Sequence, residues 1–365
     1  MLALSCIAIF LLPNVACVIA AAPQAGQDGQ IVWHDCKDIG IEGKGWSDTL
    51  SVYDRLPGSA RGKAPKDVWE LSHHSAGLCV RFTTDAASIQ VRWTLLSAEL
   101  AMPHMPATGV SGVDLYLEDA KGQWRFVGNG RPSGVSNTAA FEASPGKQHL
   151  LYLPLYNGVK SVEIGIAKDR TISAYRGASV KPRKPIVFYG TSITQGGCAS
   201  RPGMAFTAIV GRKLDTPVIN LGFSGSGRME PAMADLMAEL DPSVYVLDCL
   251  WNMTPALVAE RIAPCVRRLR QSHPNTPIVL VEDCSVGNVN PTPMGLVLRD
   301  TYDKLKADGV AGLYFLSNQD MLGTDGEGTV DGCHPNDLGM MRLADAFTKK
   351  LAPIVQKSQP QATNK

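Results

Sequence analysis

Ser192 lies in the stretch Tyr189-Gly190-Thr191-Ser192-Ile193-Thr194-Gln195-Gly196, directly after the apolar run Pro185-Ile186-Val187-Phe188. Much later the chain answers it with Asp331-Gly332-Cys333-His334-Pro335. A serine in the turn where a buried strand ends is lifted to the edge of a sheet. A histidine can take its proton, and an acid three residues earlier can orient that histidine from the same loop. This is the residue set of acyl transfer, and it points to an ester hydrolase. Two plainer uses stay open: Ser192 as a helix N-cap, and Asp331 with His334 as caps of a helix starting near Asn336.

Two kinds of element must position these residues. From residue 31 to 178 the pattern is β. Ser88-Ile89-Gln90-Val91-Arg92-Trp93-Thr94-Leu95 alternates polar and apolar, as do Val113, Leu115 and Leu117 against Asp114, Tyr116 and Glu118, and Val162, Ile164 and Ile166. With turns at Asp119-Ala120-Lys121-Gly122 and Ser144-Pro145-Gly146-Lys147, this predicts an all-β sandwich, jelly-roll-like, with sheets packed on one face. Arg176 to Pro185 reads as a basic, proline-punctuated linker.

From residue 185 to 355 the period changes. Apolar runs at Ile186 to Tyr189, Val218 to Leu221, Val244 to Leu247, Ile278 to Val281 and Leu313 to Leu316 alternate with helical stretches such as Pro231 to Leu240 and Ala256 to Arg270. Pro264 in the latter predicts a kink or break. Buried strands interleaved with helices predict a parallel five-stranded sheet in a three-layer α/β/α domain, with the site where loops leave the strands' carboxyl ends. Those loops begin at Gly190, Gly222, Asp248, Asp283 and Asn318.

Block by block, this second half resembles the SGNH (GDSL-type) hydrolases. The motifs are Gly190-Thr191-Ser192, Asn220-Leu221-Gly222-Phe223-Ser224-Gly225, Leu247-Asp248-Cys249-Leu250-Trp251-Asn252 and Asp331-Gly332-Cys333-His334-Pro335, in family order. Gly112-Val113-Asp114-Leu115-Tyr116 is similar to the G-x-D-L-Y signature of the β-domain preceding a bacterial subgroup, and Pro202-Gly203-Met204 resembles that subgroup too. The resemblance implies a Ser192, His334 and Asp331 triad, and an oxyanion hole from the Ser192 amide, the Gly225 amide and the Asn252 side chain. It implies no metal and no cofactor, and short acyl groups on a small-molecule or polysaccharide ester, O-acetyl on carbohydrate first. Lipid or thioester acylhydrolysis, and an inactive carbohydrate-binding protein, are the alternatives. The chain departs from the family at Thr191, where most relatives carry Asp, and at Leu250-Trp251, where a glycine usually precedes Asn252. Asn252 can also be read as a turn residue before Thr254-Pro255, Gly225 as a backbone requirement, Trp251 as a sugar platform or a core aromatic, and His104 as a loop residue or part of the cleft wall.

Composition excludes other classes. Of 365 residues, 45% are hydrophobic and 19% charged, with net charge +1 and scattered Lys and Arg, so the chain is globular and nucleic acid is not an expected partner. Residues 1 to 22 carry an apolar core, Leu2 to Leu12, then Val18-Ile19-Ala20-Ala21-Ala22, which predicts a signal peptide and export to the periplasm or beyond without stable membrane insertion. Anchoring as a lipoprotein at Cys17 fits less well, because Asn14 stands where an aliphatic residue is wanted. There is no C-x-x-C or H-E-x-x-H spacing, and His73-His74 would point to opposite sides of a strand, so no zinc site is expected. Cys333 is expected to pair with Cys198 or Cys284. Oligomeric state is not legible.

Overall fold

The computed structural model describes residues 31–175, 183–284, 291–319 and 321–359. The expected leader and most of the basic linker lie outside these residues.

The first part is built from β1 (Ile31–Asp35), β2 (Cys79–Thr84), β3 (Ser88–Leu95), β4 (Val113–Glu118), β5 (Trp124–Gly130), β6 (Ser136–Glu142), β7 (Gln148–Tyr152), β8 (Val159–Ala167) and β9 (Ile172–Ala174), with short helices α1 (Cys36–Ile39), α2 (Lys66–Leu71) and α3 (Ala107–Val110). The strands pair antiparallel in two sheets, ordered β1-β8-β3-β6 and β5-β4-β7-β2-β9. In β3 the alternation works as expected: Ile89, Val91, Trp93 and Leu95 enter the core between the sheets, where Phe82, Leu115, Leu151 and Ile164 meet them. The sandwich expected from the period is present.

The second part has β10 (Ile186–Gly190), β11 (Val218–Gly222), β12 (Val244–Asp248), β13 (Ile278–Val281) and β14 (Leu313–Leu316), all parallel, in the order β11-β10-β12-β13-β14. One face is covered by α6 (Pro231–Met237), α7 (Pro255–Ser272) and α8 (Pro293–Ala307) through Met233, Val258, Ile262, Leu269, Leu298 and Leu305. The other is covered by α5 (Phe206–Leu214) and α9 (Asp337–Ser358) through Phe206, Val210, Leu343, Phe347 and Leu351. The result is the three-layer α/β/α arrangement. Pro264 does not break α7, which runs on through it. The flanking Ile262, Cys265 and Val266 are buried, and that packing outweighs the lost backbone hydrogen bond.

Besides the core between its sheets, the first part shares two cores with the second. Leu56, Ala60, Ala64 and Val68, from the connection before β2, pack with Tyr189, Leu221 and Met233, and Trp46 donates its indole N–H to Glu239 at 2.8 Å. Met105, Tyr116, Leu150, Tyr152 and Leu155 join Ile193, Ala199, Phe206 and Ile209. His73 and His74 follow α2 in a turn rather than lying in a strand; His73 pairs with Asp54, so the opposite-sides picture does not apply.

Candidate active site

β10 ends at Gly190, which registers with Gly222 of the edge strand β11 and with Asp248 of the central strand β12. A β-carbon at Gly190 would stand 2.0 Å from Thr194 Oγ1, so only glycine lets the chain turn this sharply. The turn opens into α4 (Ser192–Gln195), a single helical turn. Thr191, the residue that departs from the family, is its N-cap: the Thr191 hydroxyl accepts the Ile193 N–H. A short side-chain oxygen is all that this cap requires. Ser192 is therefore not the cap, and its hydroxyl is left for other work.

Neighbouring elements hold the turn from several sides. Asn220 Nδ2 donates to Thr194 O at 2.7 Å, and Thr194 Oγ1 donates to Asp248 Oδ2 at 2.9 Å. Burial pushes the Asp248 carboxyl up to about 7. Gln195 is buried and works in two directions: its Oε1 accepts the Ser224 N–H, and its Nε2 donates to Leu155 O and faces His74 Nδ1 at 3.1 Å. Tyr156 Oη donates to Ser192 O. Leu155, Tyr156 and His74 all belong to the first part of the chain.

His334 reaches Ser192 from the loop before α9. Its Nε2 is 2.9 Å from Ser192 Oγ, and its Nδ1 is 2.8 Å from Asp331 Oδ2. Asp331 Oδ1 also accepts the His334 and Cys333 amides, at 2.7 and 3.0 Å, with Gly332 at φ +84° closing the turn. Burial works against the charged carboxyl, but these hydrogen bonds outweigh it and hold Asp331 down at about 2. A carboxylate on Nδ1 fixes the proton there, which leaves Nε2 to accept from the serine hydroxyl. The cap of α9 is Asn336, which accepts the Gly339 N–H, so Asp331 and His334 are not helix caps.

The loop that carries Gly225 packs against the same turn, and Asn252 packs against that loop. Residues 223–227 lie against it, with Ser224 N–H on Gln195 and Gly227 so close to Gly190 O that a β-carbon would stand 1.9 Å away. Gly225 has φ +68°, so its glycine is required by backbone shape whatever its amide does. Asn252 sits in a short 3-10 turn, Leu250–Asn252, against the same loop. Turned one way its Nδ2 is 3.3 Å from Gly227 O; turned the other, its oxygen accepts from Ser226 N–H at 3.1 Å and Gly227 N–H at 3.3 Å, freeing the amino group. Thr254 caps the helix that follows, so Asn252 is not needed for that. Trp251 packs on the core and donates to Cys284 O.

The seven described cysteines, Cys36, Cys79, Cys198, Cys249, Cys265, Cys284 and Cys333, are all free, and the expected Cys333 disulfide is not formed. Burial pushes the Cys198 thiol up to about 12 and the Cys333 thiol to about 11, which keeps them protonated and slow to exchange. Among the described residues, no group of three or more His, Cys, Asp or Glu is placed to hold a metal ion.

Sequence reasoning missed the supports. Arg55, 2% exposed, donates to Asn220 O, Gly222 O, Leu71 O and His74 O, and its guanidinium lies 4.7 Å above the Phe223 ring. Burial brings it down to about 9. Asp114 of the G-x-D-L-Y stretch is fully buried and accepts from Arg201 Nη1 at 2.8 Å, Gly203 N–H at 2.9 Å and Asn129 Nδ2 at 2.8 Å. Arg201 Nη1 also donates to Tyr116 Oη, and a β-carbon on Gly203 would strike the Tyr116 ring at 2.3 Å. The two stretches noted separately, Gly112 to Tyr116 and Pro202 to Met204, are two sides of one contact. Nothing in either stretch announces its partner.

Residues 183–352 match the GDSL-like lipase/acylhydrolase family, and residues 31–172 match the GxDLY family, the N-terminus of SGNH-hydrolase-type esterases. No curated protein matches the chain. Among solved structures, one from Bacteroides ovatus described as a GDSL-like lipase is 34% identical, with TM-score 0.83, over 89% of this chain and 98% of that one. A salicylyl-acyltransferase from a tetracycline biosynthetic pathway (18% identity, TM-score 0.67, 82% of this chain and 89% of that) and a family two carbohydrate esterase from Cellvibrio japonicus (12%, 0.59, 89% and 98%) share the fold. With both family matches in order along the chain and a relative at 34% identity covered almost end to end, this protein belongs to the GDSL-like lipase/acylhydrolase family of SGNH hydrolases, among the members that carry a GxDLY N-terminal domain.

Proposed function

We propose that the protein is an exported serine esterase that removes short acyl groups, O-acetyl above all, from carbohydrate. The observation that carries the esterase reading is the hydrogen-bonded chain Ser192 Oγ, His334 Nε2, His334 Nδ1, Asp331 Oδ2, with links of 2.9 and 2.8 Å. In this mechanism Ser192 attacks the ester carbonyl while His334 takes its proton, and Asp331 holds the imidazole and stabilises its positive charge. The oxyanion is met by the Ser192 amide, the Gly225 amide and Asn252; each such donor lowers the barrier by about 3 kcal/mol. Collapse releases the alcohol with the proton from His334, and water then removes the acyl group by the same steps. The route uses only these side chains and amides.

The carbohydrate part is supported by the fold shared with a family two carbohydrate esterase. Export is supported by the apolar leader at residues 1 to 22, with the β-sandwich assigned to 31 to 178 and the hydrolase domain to 185 to 355. The test is turnover on p-nitrophenyl acetate, p-nitrophenyl octanoate and an acetylated polysaccharide, with released acetate measured. Preference for the octanoate would replace this reading with a lipid or thioester acylhydrolase. Binding of polysaccharide without any turnover would make the protein a carbohydrate-binding one.

A further inference from the structure

One side chain of the sandwich stands against the His334 imidazole, and the mechanism above does not use it. The ring centroid of His104 is 5.7 Å from that of His334, with the planes inclined at 45°. His104 is exposed, and among the described residues its ring has no hydrogen bond. Its backbone is nevertheless well fixed. Met102 and Met105 exchange both backbone hydrogen bonds, at 3.0 and 3.1 Å, so His104 sits at the tip of a closed turn between Pro103 and Pro106. Met105 is buried in the core shared with Ile193 and Ala199. Just beyond, Thr108 donates to Ser200 O at 2.6 Å, and a β-carbon at Gly109 would stand 2.3 Å from Ala199 O. An imidazole presented on so rigid a support, with donor and acceptor both unspent, is suited to a ligand.

The reaction says which part of the ligand. When the tetrahedral intermediate collapses, the bond from the former carbonyl carbon to the alcohol oxygen breaks. His334 Nε2 then delivers to that oxygen the proton taken from Ser192. The departing alcohol must therefore lie at His334, while the carbonyl oxygen lies toward the 223–227 loop and Asn252. A group beside His334 meets the alcohol rather than the acyl chain. We propose that His104 is a specificity-determining residue that reads the alcohol, by hydrogen bonding to a hydroxyl on the carbon next to the esterified one. The substrate class it selects is the ester of a polyhydroxy alcohol, over esters of simple alkanols or thiols. This role presupposes the esterase reading above and sharpens it. It also separates the two half-reactions, because the alcohol has left before water attacks the acyl-enzyme.

The test compares full-length wild type, His104→Ala and His104→Gln on four acetates: an acetylated methyl xyloside, glyceryl monoacetate, ethyl acetate and p-nitrophenyl acetate. Thermal melts confirm that the variants are folded. His104→Ala should lower kcat/KM on the first two by about tenfold more than on the last two, the size of one lost hydrogen bond. Deacylation, followed by a pre-steady-state burst with p-nitrophenyl acetate, should change far less. His104→Gln should recover part of the loss, since it keeps a donor and an acceptor. Equal losses on all four esters would overturn the proposal and make His104 a support for His334; equal rates in all three proteins would also overturn it. If wild type ignores the xyloside but cleaves the others, the carbohydrate reading fails while glyceryl monoacetate still decides the role of His104. A protein that cleaves no ester overturns both.

Discussion

The two sheets of the sandwich follow the same alternating pattern, yet their outer faces meet different surroundings. On the β1-β8-β3-β6 sheet the outward residues of β3, such as Gln90, Arg92 and Thr94, stay partly open, and Arg92 pairs with Glu163 at the surface. On the β5-β4-β7-β2-β9 sheet the outward residues of β4 are Asp114 and Tyr116, and both are buried against the loop after α4. One sheet faces water and the other faces the turn that carries Ser192. The period is the same because alternation reports only the inner face. What distinguishes the faces is the chemistry of the outward side chains, a carboxylate and a phenol placed to meet Arg201 on one and an ordinary surface ion pair on the other.

The most severe way to break the comparison is to remove the sandwich. Deleting residues up to Val180 takes away Leu56, Ala60 and Val68 from one core and Tyr116, Leu150 and Tyr152 from the other. Each large buried side chain contributes about 2 kcal/mol, and several are lost together, which exceeds the few kcal/mol by which domains are stable. The truncated chain should be insoluble or unfolded by circular dichroism, and inactive even on p-nitrophenyl acetate. A soluble truncation with wild-type kinetics on that ester would mean that the sandwich is an independent module.

The opposite case is a change to the chemistry alone. Ser192→Ala should reduce ester turnover by at least about 10³-fold and leave the thermal transition within a degree or two of wild type, because the capping oxygen belongs to Thr191. Retained turnover in a preparation free of other esterases would remove Ser192 from the mechanism.

The parts of the site that were legible in the sequence are those determined by short-range chemistry. The strands of the parallel sheet end within a residue of expectation because each is a short apolar run bounded by glycine, proline, serine or acid. Ser192, His334 and Asp331 stand out because acyl transfer would require those types at a strand end and in one loop. The supports were not legible. Arg55 is an ordinary arginine in a loop until the fold brings four carbonyl oxygens around it, and Gln195 and His74 meet only because residue 74 packs under α4. The disulfide expected at Cys333 failed for the related reason that shared location on a sheet rim says nothing of whether thiols meet.

The contrast between the two outer faces sharpens into a pair of substitutions. Asp114→Ala leaves Arg201 half-buried without its carboxylate and the Gly203 amide without an acceptor, and should lower stability by about 3 kcal/mol. Because Arg201 and Gly203 follow the turn that carries Ser192, kcat/KM on a small acetate should fall about tenfold as well. Arg92→Ala on the open face removes an exposed pair and should lower stability by under about 1 kcal/mol with no change in rate. Chemical denaturation and steady-state kinetics on both variants check this. Equal costs would mean that the two faces are energetically alike.

A further effect, confined to acid pH, concerns His74, which reaches from the sandwich side beneath α4. Its Nδ1 accepts from Gln195 Nε2, an arrangement that only the neutral ring can form. Burial, with Arg55 and His73 nearby, brings the ring down from 6.5 to about 4. Below pH 6.5 the unfolded chain therefore takes up a proton that the folded protein refuses. Stability is lost as pH falls from 6.5 toward 4, and no further through this group below that. Part of the ring still meets solvent, so the loss from this group should be about 1 to 2 kcal/mol rather than the full value for such a displacement. His74→Gln cannot take up the proton, so its melting temperature should decline less steeply than wild type over the same interval. Parallel pH profiles for the two proteins would show that His74 stays out of this balance, and that the sandwich supports α4 through Tyr156 and Leu155 alone.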